Sequence, residues 1–132
     1  MKNAVKLVVF IFVVALIVLS ALRLGAKFSS SASQVKSIEM ITASWYGPRF
    51  HGRKTASGRV FDMREISAAH RSLPFGTKIL LVNPTNNAQV IVSITDRGPY
   101  VAGRDLDLSL GAAEALGIKK QGLAQLYAVI TD

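Results

Sequence analysis

The chain has 132 residues, Lys+Arg 16 against Asp+Glu 8, a formal net charge of +8 and no cysteine. Without cysteine there is no disulfide, no thiolate nucleophile, no cysteine-ligated metal and no lipobox attachment point. Residues 1–37 hold Lys2, Lys6, Arg23, Lys27 and Lys36 and no acid, so the rest is only mildly basic and the high pI is no argument for nucleic acid as a partner.

The first predicted element is Leu7 to Leu22, LVVFIFVVALIVLSAL, apolar apart from Ser20 and flanked by Lys2 and Lys6 before and Arg23 and Lys27 after. This order reads as a signal peptide or membrane anchor over residues 1–27, with cleavage after Ala26 or Ala32 and an uncleaved anchor both open. Residues 28–37, FSSSASQVKS, lack hydrophobic periodicity and predict a flexible linker. Residues 38–132 then form one small domain. Its β-like runs are IEMITASWY, KILLV, QVIVSIT and AQLYAVIT, each bounded by Gly, Pro or Asn. Pro74 and Pro84 put turns on either side of KILLV, because proline cannot sit in a central ladder. A helix is predicted over Leu110 to Leu116, with Ser109 as N-cap and Gly117 as its stop. A second helical turn is predicted near Met63 to Ser67. Many short strands and little helix point to a closed all-β barrel, since closure removes exposed strand edges.

Ser93 to Ser109, SITDRGPYVAGRDLDLS, gathers Asp96, Asp105 and Asp107 among glycines and a proline. Val90, Val92 and Ile94 share one strand face, and Asp96 continues that parity. If the pleat persists, its carboxylate enters the barrel mouth, where withdrawal from water suits a proton donor. The competing reading is a strand-end aspartate that caps turn amides. Trp45 and Tyr46 point to opposite faces, so at most one meets a groove. Thr55 and Ser57 either bond a ligand or build the TASG turn. Tyr100 is a candidate groove wall. Arg49, Arg53, Lys54, Arg59 and Arg64 form a basic stretch, either a solvated face or a surface for an anionic polymer. No ligand set for a metal is evident around His51 and His70.

SWYG (Ser44 to Gly47), FHGRKTASG (Phe50 to Gly58), FDM (Phe61 to Met63), AAHRSLPFGT (Ala68 to Thr77), DRGPY (Asp96 to Tyr100) and GRDLDLS (Gly103 to Ser109) follow one another in a single order. Together they resemble the RlpA-like (rare lipoprotein A) family of bacterial envelope proteins over nearly all of residues 42–131. The resemblance implies a six-stranded double-psi β-barrel with one or two short helices. It also implies a lytic transglycosylase that cuts peptidoglycan glycan strands, including peptide-free ones, to 1,6-anhydro ends. Asp96 matches the family's acid, and His70 its histidine. Hydrolysis of a glycosidic bond needs two carboxylates, whereas the sugar's own 6-hydroxyl lets one aspartate serve as acid and then base. His70 is expected to be neutral and to hydrogen-bond the acid or the sugar. Asp107, Tyr46, Thr55, Ser57, Tyr100 and Arg97 complete the expected substrate-binding set. Arg59 departs from the family, whose members commonly carry a glutamate there. The expected partners are peptidoglycan, the membrane through the N-terminal segment, and envelope or division proteins, with no cofactor. A non-catalytic, expansin-like wall-loosening module is the alternative.

Overall fold

The computed structural model describes residues 37–131; the signal or anchor and most of the linker expected from sequence lie outside them. Strand β1 (Glu39–Trp45) leads through a 3-10 turn (Pro48–Phe50) and a long excursion to β2 (Ser67–Ala69). Then follow β3 (Lys78–Val82), β4 (Gln89–Asp96), β5 (Leu106–Leu108), helix α1 (Leu110–Ala115) and β6 (Leu123–Thr131). The strands close in the order β1-β5-β2-β4-β3-β6. β1 with β5 and β2 with β4 are parallel, and the other neighbours are antiparallel.

The four β-like runs of the sequence become β1, β3, β4 and β6, and Ser109 caps α1 by accepting the Ala112 N–H. The helical turn expected at Met63 to Ser67 does not form. A turn closed by Glu65 N–H donating to Asp62 O occupies its start, and Ser67 opens β2. Side-chain alternation sends Ala43, Leu81, Val92, Ile94, Leu106, Leu108 and Leu126 into the barrel, where they are buried. Ala112, Ala113, Leu116 and Ile118 from α1 and the turn after it join the same core. The Leu116 carbonyl left over at the helix end accepts from Asn83 Nδ2 at 2.8 Å and Asn86 Nδ2 at 3.1 Å.

Two features position the site. Ser109 is fully buried, and besides capping α1 its Oγ donates to Glu65 O at 2.6 Å and accepts from Ser67 N at 3.1 Å. It thereby ties the end of the excursion to the barrel. The second feature is a register shift between β2 and β4: Ala68 pairs with Ile94, but Ala69 pairs with Asp96. Thr95 is the extra residue, as in a β-bulge, and everything beyond it changes face.

A carboxylate cleft on the outer face of the barrel

Because of that shift, Asp96 does not enter the barrel mouth as its parity with Ile94 predicts. Ala68 and Ile94 lie in the core, whereas Ala69 and Asp96 line an outer-face cleft of about 260 Å³. The pairings Ser44 with Asp107, Asp107 with Ala69, and Ala69 with Asp96 form one row across four strands. The two carboxylates therefore stand two strand spacings apart, roughly 10 Å, with only an alanine methyl between them. Tyr46 and Phe50 from the excursion line it too, together with Gly98, Pro99 and Tyr100 from the segment after β4.

Asp96 Oδ1 accepts two backbone N–H groups, Ala56 at 2.9 Å and Arg97 at 2.8 Å. Among the described residues no donor bonds Oδ2 and no cation pairs with the carboxylate. The capping reading of this residue is thus the one observed: Asp96 caps turn amides with Oδ1 and lines the outer-face cleft instead of the barrel mouth. Asp107 accepts a hydrogen bond from Ser44 Oγ through Oδ1. Tyr46 continues the outer face of β1 beyond Ser44, while Trp45 packs on the core side and donates through Nε1 to Lys119 O. The Tyr46 ring stacks on Phe61 with centroids 4.6 Å apart and meets Phe50 edge-on. Its hydroxyl is buried without a hydrogen-bond partner. Burial, then the charges of Asp96 and Asp107, push its pKa well above the usual phenol value, so it stays a proton donor.

The remaining expected residues fall elsewhere. Thr55 and Ser57 bond each other at 2.8 Å, and Thr55 Oγ1 donates to Arg59 O, so their hydroxyls build the TASG turn. That turn is what delivers the Ala56 N–H to Asp96, a role no side-chain pattern announces. Arg97 lines the cleft, but its guanidinium donates to Leu73 O at 2.9 Å and His70 O at 3.3 Å and stacks on Phe75. It holds the LPFGT turn. Tyr100 is 82% exposed at the rim. Arg59 lines a separate small hollow with Thr55 and Thr95, not the Asp96 cleft.

His70 requires a correction. Of the two partners expected for its neutral imidazole, Asp96 or the sugar, Asp96 is not hydrogen-bonded to the ring among the described residues. Its Nδ1 accepts the Ser72 and Leu73 N–H groups at 3.0 and 2.9 Å, which leaves Nε2 as the protonated nitrogen of a neutral ring. Burial, with Arg71 and Arg97 adding to it and Asp105 opposing, lowers its pKa below the ordinary histidine value. The ring follows Ala69 by one position and so faces the other way, into the barrel-mouth hollow lined by Ile41, Ile79, Leu106 and Ile130. Its link to Asp96 runs through the backbone, His70 N–H donating to Asp96 O at 3.2 Å.

The barrel order and the paired carboxylates on its outer face define a double-psi β-barrel with a cleft suited to acid–base work. The chain belongs to the lytic transglycolase family, whose model matches residues 38–127. It is 54% identical over 88 residues to the Aquifex aeolicus protein named "Probable endolytic peptidoglycan transglycosylase RlpA", covering 67% of this chain and 39% of that one. It is 43% identical over 88 residues to the Helicobacter pylori "Endolytic peptidoglycan transglycosylase RlpA", covering 67% of this chain and 28% of that one. The chain thus spans well under half the length of these relatives. Among solved structures the Streptomyces papain inhibitor shares the fold, with a TM-score of 0.61 at 16% identity, covering 75% of this chain and 98% of that one.

Proposed function

We propose that this chain is an endolytic peptidoglycan lytic transglycosylase in which Asp96 is the general acid and then the general base. One observation supports the reading: Asp96 lines a cleft, is held through Oδ1 by two amides, and has no donor on Oδ2 among the described residues. A carboxyl held this way cannot turn aside. Its proton on Oδ2 is delivered to the bridging oxygen of a glycosidic bond lying in the cleft, and the C1–O bond breaks. The 6-hydroxyl of the same sugar attacks C1 and closes the 1,6-anhydro ring. Oδ2, now ionised, takes the hydroxyl proton and is restored. General acid–base catalysis of this kind contributes typically ~10²–10⁴-fold, and the intramolecular nucleophile adds proximity. Asp107, held by Ser44, orients the sugar from the far side of Ala69. His70 is a positioning residue that stiffens the turn beside the acid's strand. The apolar run Leu7 to Leu22 supports an envelope location outside the cytoplasm, reached by export.

The test is product analysis. Peptide-free glycan strands incubated with the purified chain yield fragments ending in 1,6-anhydro sugars. Products with free reducing ends would mean that Asp107 serves as a hydrolytic base instead. Binding without any product would favour the expansin-like module.

A further inference from the structure

Two strands of the barrel fail to alternate. Ile79 to Val82 of β3 are apolar without a break, and Leu126 to Ile130 of β6 are apolar or aromatic throughout. A strand wet on one face alternates apolar with polar, whereas a continuous apolar run belongs to a strand covered on both faces. The core accounts for Ile79, Leu81, Leu126 and Ile130. Strand register places the others on the outer face in two rows. Met40 pairs with Tyr127 and Tyr127 with Val82, while Val129 pairs with Leu80 and Leu80 with Ile91. Met40 and Ile91 are half-exposed, and Ile38, where the chain enters β1, is more exposed still. Lys78 is the one charged side chain among the outward positions of β1, β6, β3 and of β4 as far as Ser93.

Single exposed apolar side chains are ordinary, but a contiguous set without charge marks a surface that something covers. Two rows across three strand spacings cover an area on the order of 250 Å². A stable pairing of two proteins buries about 800 Å² on each, so this face is too small to hold a second copy by itself. It is large enough to help a chain already tethered to its partner, because a tether raises the effective concentration of a weak contact. Only residues 23–37 separate the apolar run Leu7 to Leu22 from Ile38, at the edge of this face. Fully extended, a segment of that length spans at most about 50 Å. The side-chain types also suit a lipid surface: aliphatic rows, a tyrosine that seats at the headgroup level, and a lysine that attracts lipid phosphates.

We propose that the outer face of β6 and β3, flanked by Met40 and Ile91, rests on a lipid bilayer. This goes beyond the transglycosylase reading and rests on the anchor reading of Leu7 to Leu22. The anchor supplies one membrane signal and the face a second, and two weak signals together hold a protein on a bilayer where one does not. The closed strand order gives the docking a consequence. β5 and β2, which carry Asp107 and Ala69 of the cleft, stand diametrically across the barrel from β3 and β6. A barrel lying on its β6–β3 face therefore turns the Asp96 cleft away from the lipid, toward whatever polymer lies beyond.

The chain has no cysteine, so a fluorophore can be placed at one chosen position. Ile91→Cys labels the face, and Val101→Cys labels a point one residue past the cleft-lining Tyr100. The full chain is reconstituted in vesicles of phosphatidylethanolamine and phosphatidylglycerol in which part of the acyl chains carry bromine, a contact quencher. The residue-91 label loses most of its emission and the residue-101 label keeps it. Met40→Glu, which puts a charge into the face, lowers the docked-to-free ratio at residue 91 about tenfold, as expected for losing one buried apolar side chain. Full emission from the residue-91 label on a chain that floats with the vesicles overturns the docking and leaves the anchor standing. A chain that does not float sinks both. Energy transfer between copies labelled at residue 91, without bromine quenching, means that a second copy covers the face and also overturns the proposal. Anhydro product from a chain whose residue-91 label stays in water leaves the transglycosylase reading intact while the docking fails.

Discussion

The Ala56 N–H, at the tip of the TASG turn, donates to Asp96 Oδ1 at 2.9 Å. The excursion that supplies Ala56 and the strand that supplies Asp96 are thereby tied at one of the two amide contacts that orient the Asp96 carboxylate. A carboxyl gripped by a single oxygen gives a sharp separation between stability and activity.

Asp96→Asn keeps an amide oxygen able to accept the Ala56 and Arg97 N–H groups. Its thermal midpoint is expected to match the parent, while anhydro product formation falls by ~10²–10⁴-fold. Asp96→Glu pushes the carboxylate out by one methylene and loses the two-amide grip. A misplacement of about 1 Å costs on the order of 10²-fold, so Glu does not rescue. Circular dichroism melts and mass spectrometry of the products check both.

Tyr46→Phe removes a buried hydroxyl that has no partner. An unsatisfied buried group costs ~1–3 kcal/mol, so the variant is expected to be as stable as the parent or more so in urea denaturation. Its product formation should nonetheless fall, because the hydroxyl is the remaining neutral donor beside the two carboxylates. There is an alkaline signature as well. The folded-state pKa of Tyr46 lies above the unfolded 10.0, so above that pH the unfolded chain releases its proton first. Stability attached to this group is complete below pH 10.0 and is lost as pH climbs, and Tyr46→Phe removes that part of the loss.

His70 carries the acid-side dependence. Its folded pKa is depressed below the ordinary 6.5, so on acidification the unfolded chain takes up a proton that the folded chain refuses. The contribution is present above pH 6.5 and is lost as pH falls through the folded value. Nuclear magnetic resonance should find Nε2 protonated, Nδ1 bare and a titration midpoint below that of a free histidine. The loss of stability between pH 7 and 5 should be shallower in His70→Gln.

Gly111 sits where α1 meets the excursion. Its N–H donates to Met63 O at 2.8 Å, and a Cβ at this position would collide with the Arg64 carbonyl. Gly111→Ala is expected to destabilise by ~1–3 kcal/mol, the usual range for overpacking against backbone. Because the excursion also carries Ala56 and Tyr46, product formation should fall together with stability. Urea denaturation and product yield on the same preparation would show whether the two are linked.

Local signals were enough for much of this protein. Alternating apolar residues named β1, β3, β4 and β6, and Ser109 before an alanine-rich stretch named α1, because periodicity and capping act within a few residues. The ordered strings from SWYG to GRDLDLS named the family, and DRGP singled out Asp96. β2 and β5 went unread because SAA and LDL are too short to show a period. They are strands only through partners distant in the chain.

What the chain alone determined is the inventory: a small closed β domain, a basic stretch, and Asp96, Asp107 and Tyr46 as groups with chemistry to offer. Which of them meet was decided by tertiary pairing. The shift between Ala68 and Ala69 carries Asp96 from the core side to the outer face, into one row with Asp107, while His70, the next residue along, turns to the barrel mouth. Parity counting along one strand cannot foresee this, because a bulge is set by the neighbouring strand's register and not by the strand's own residues.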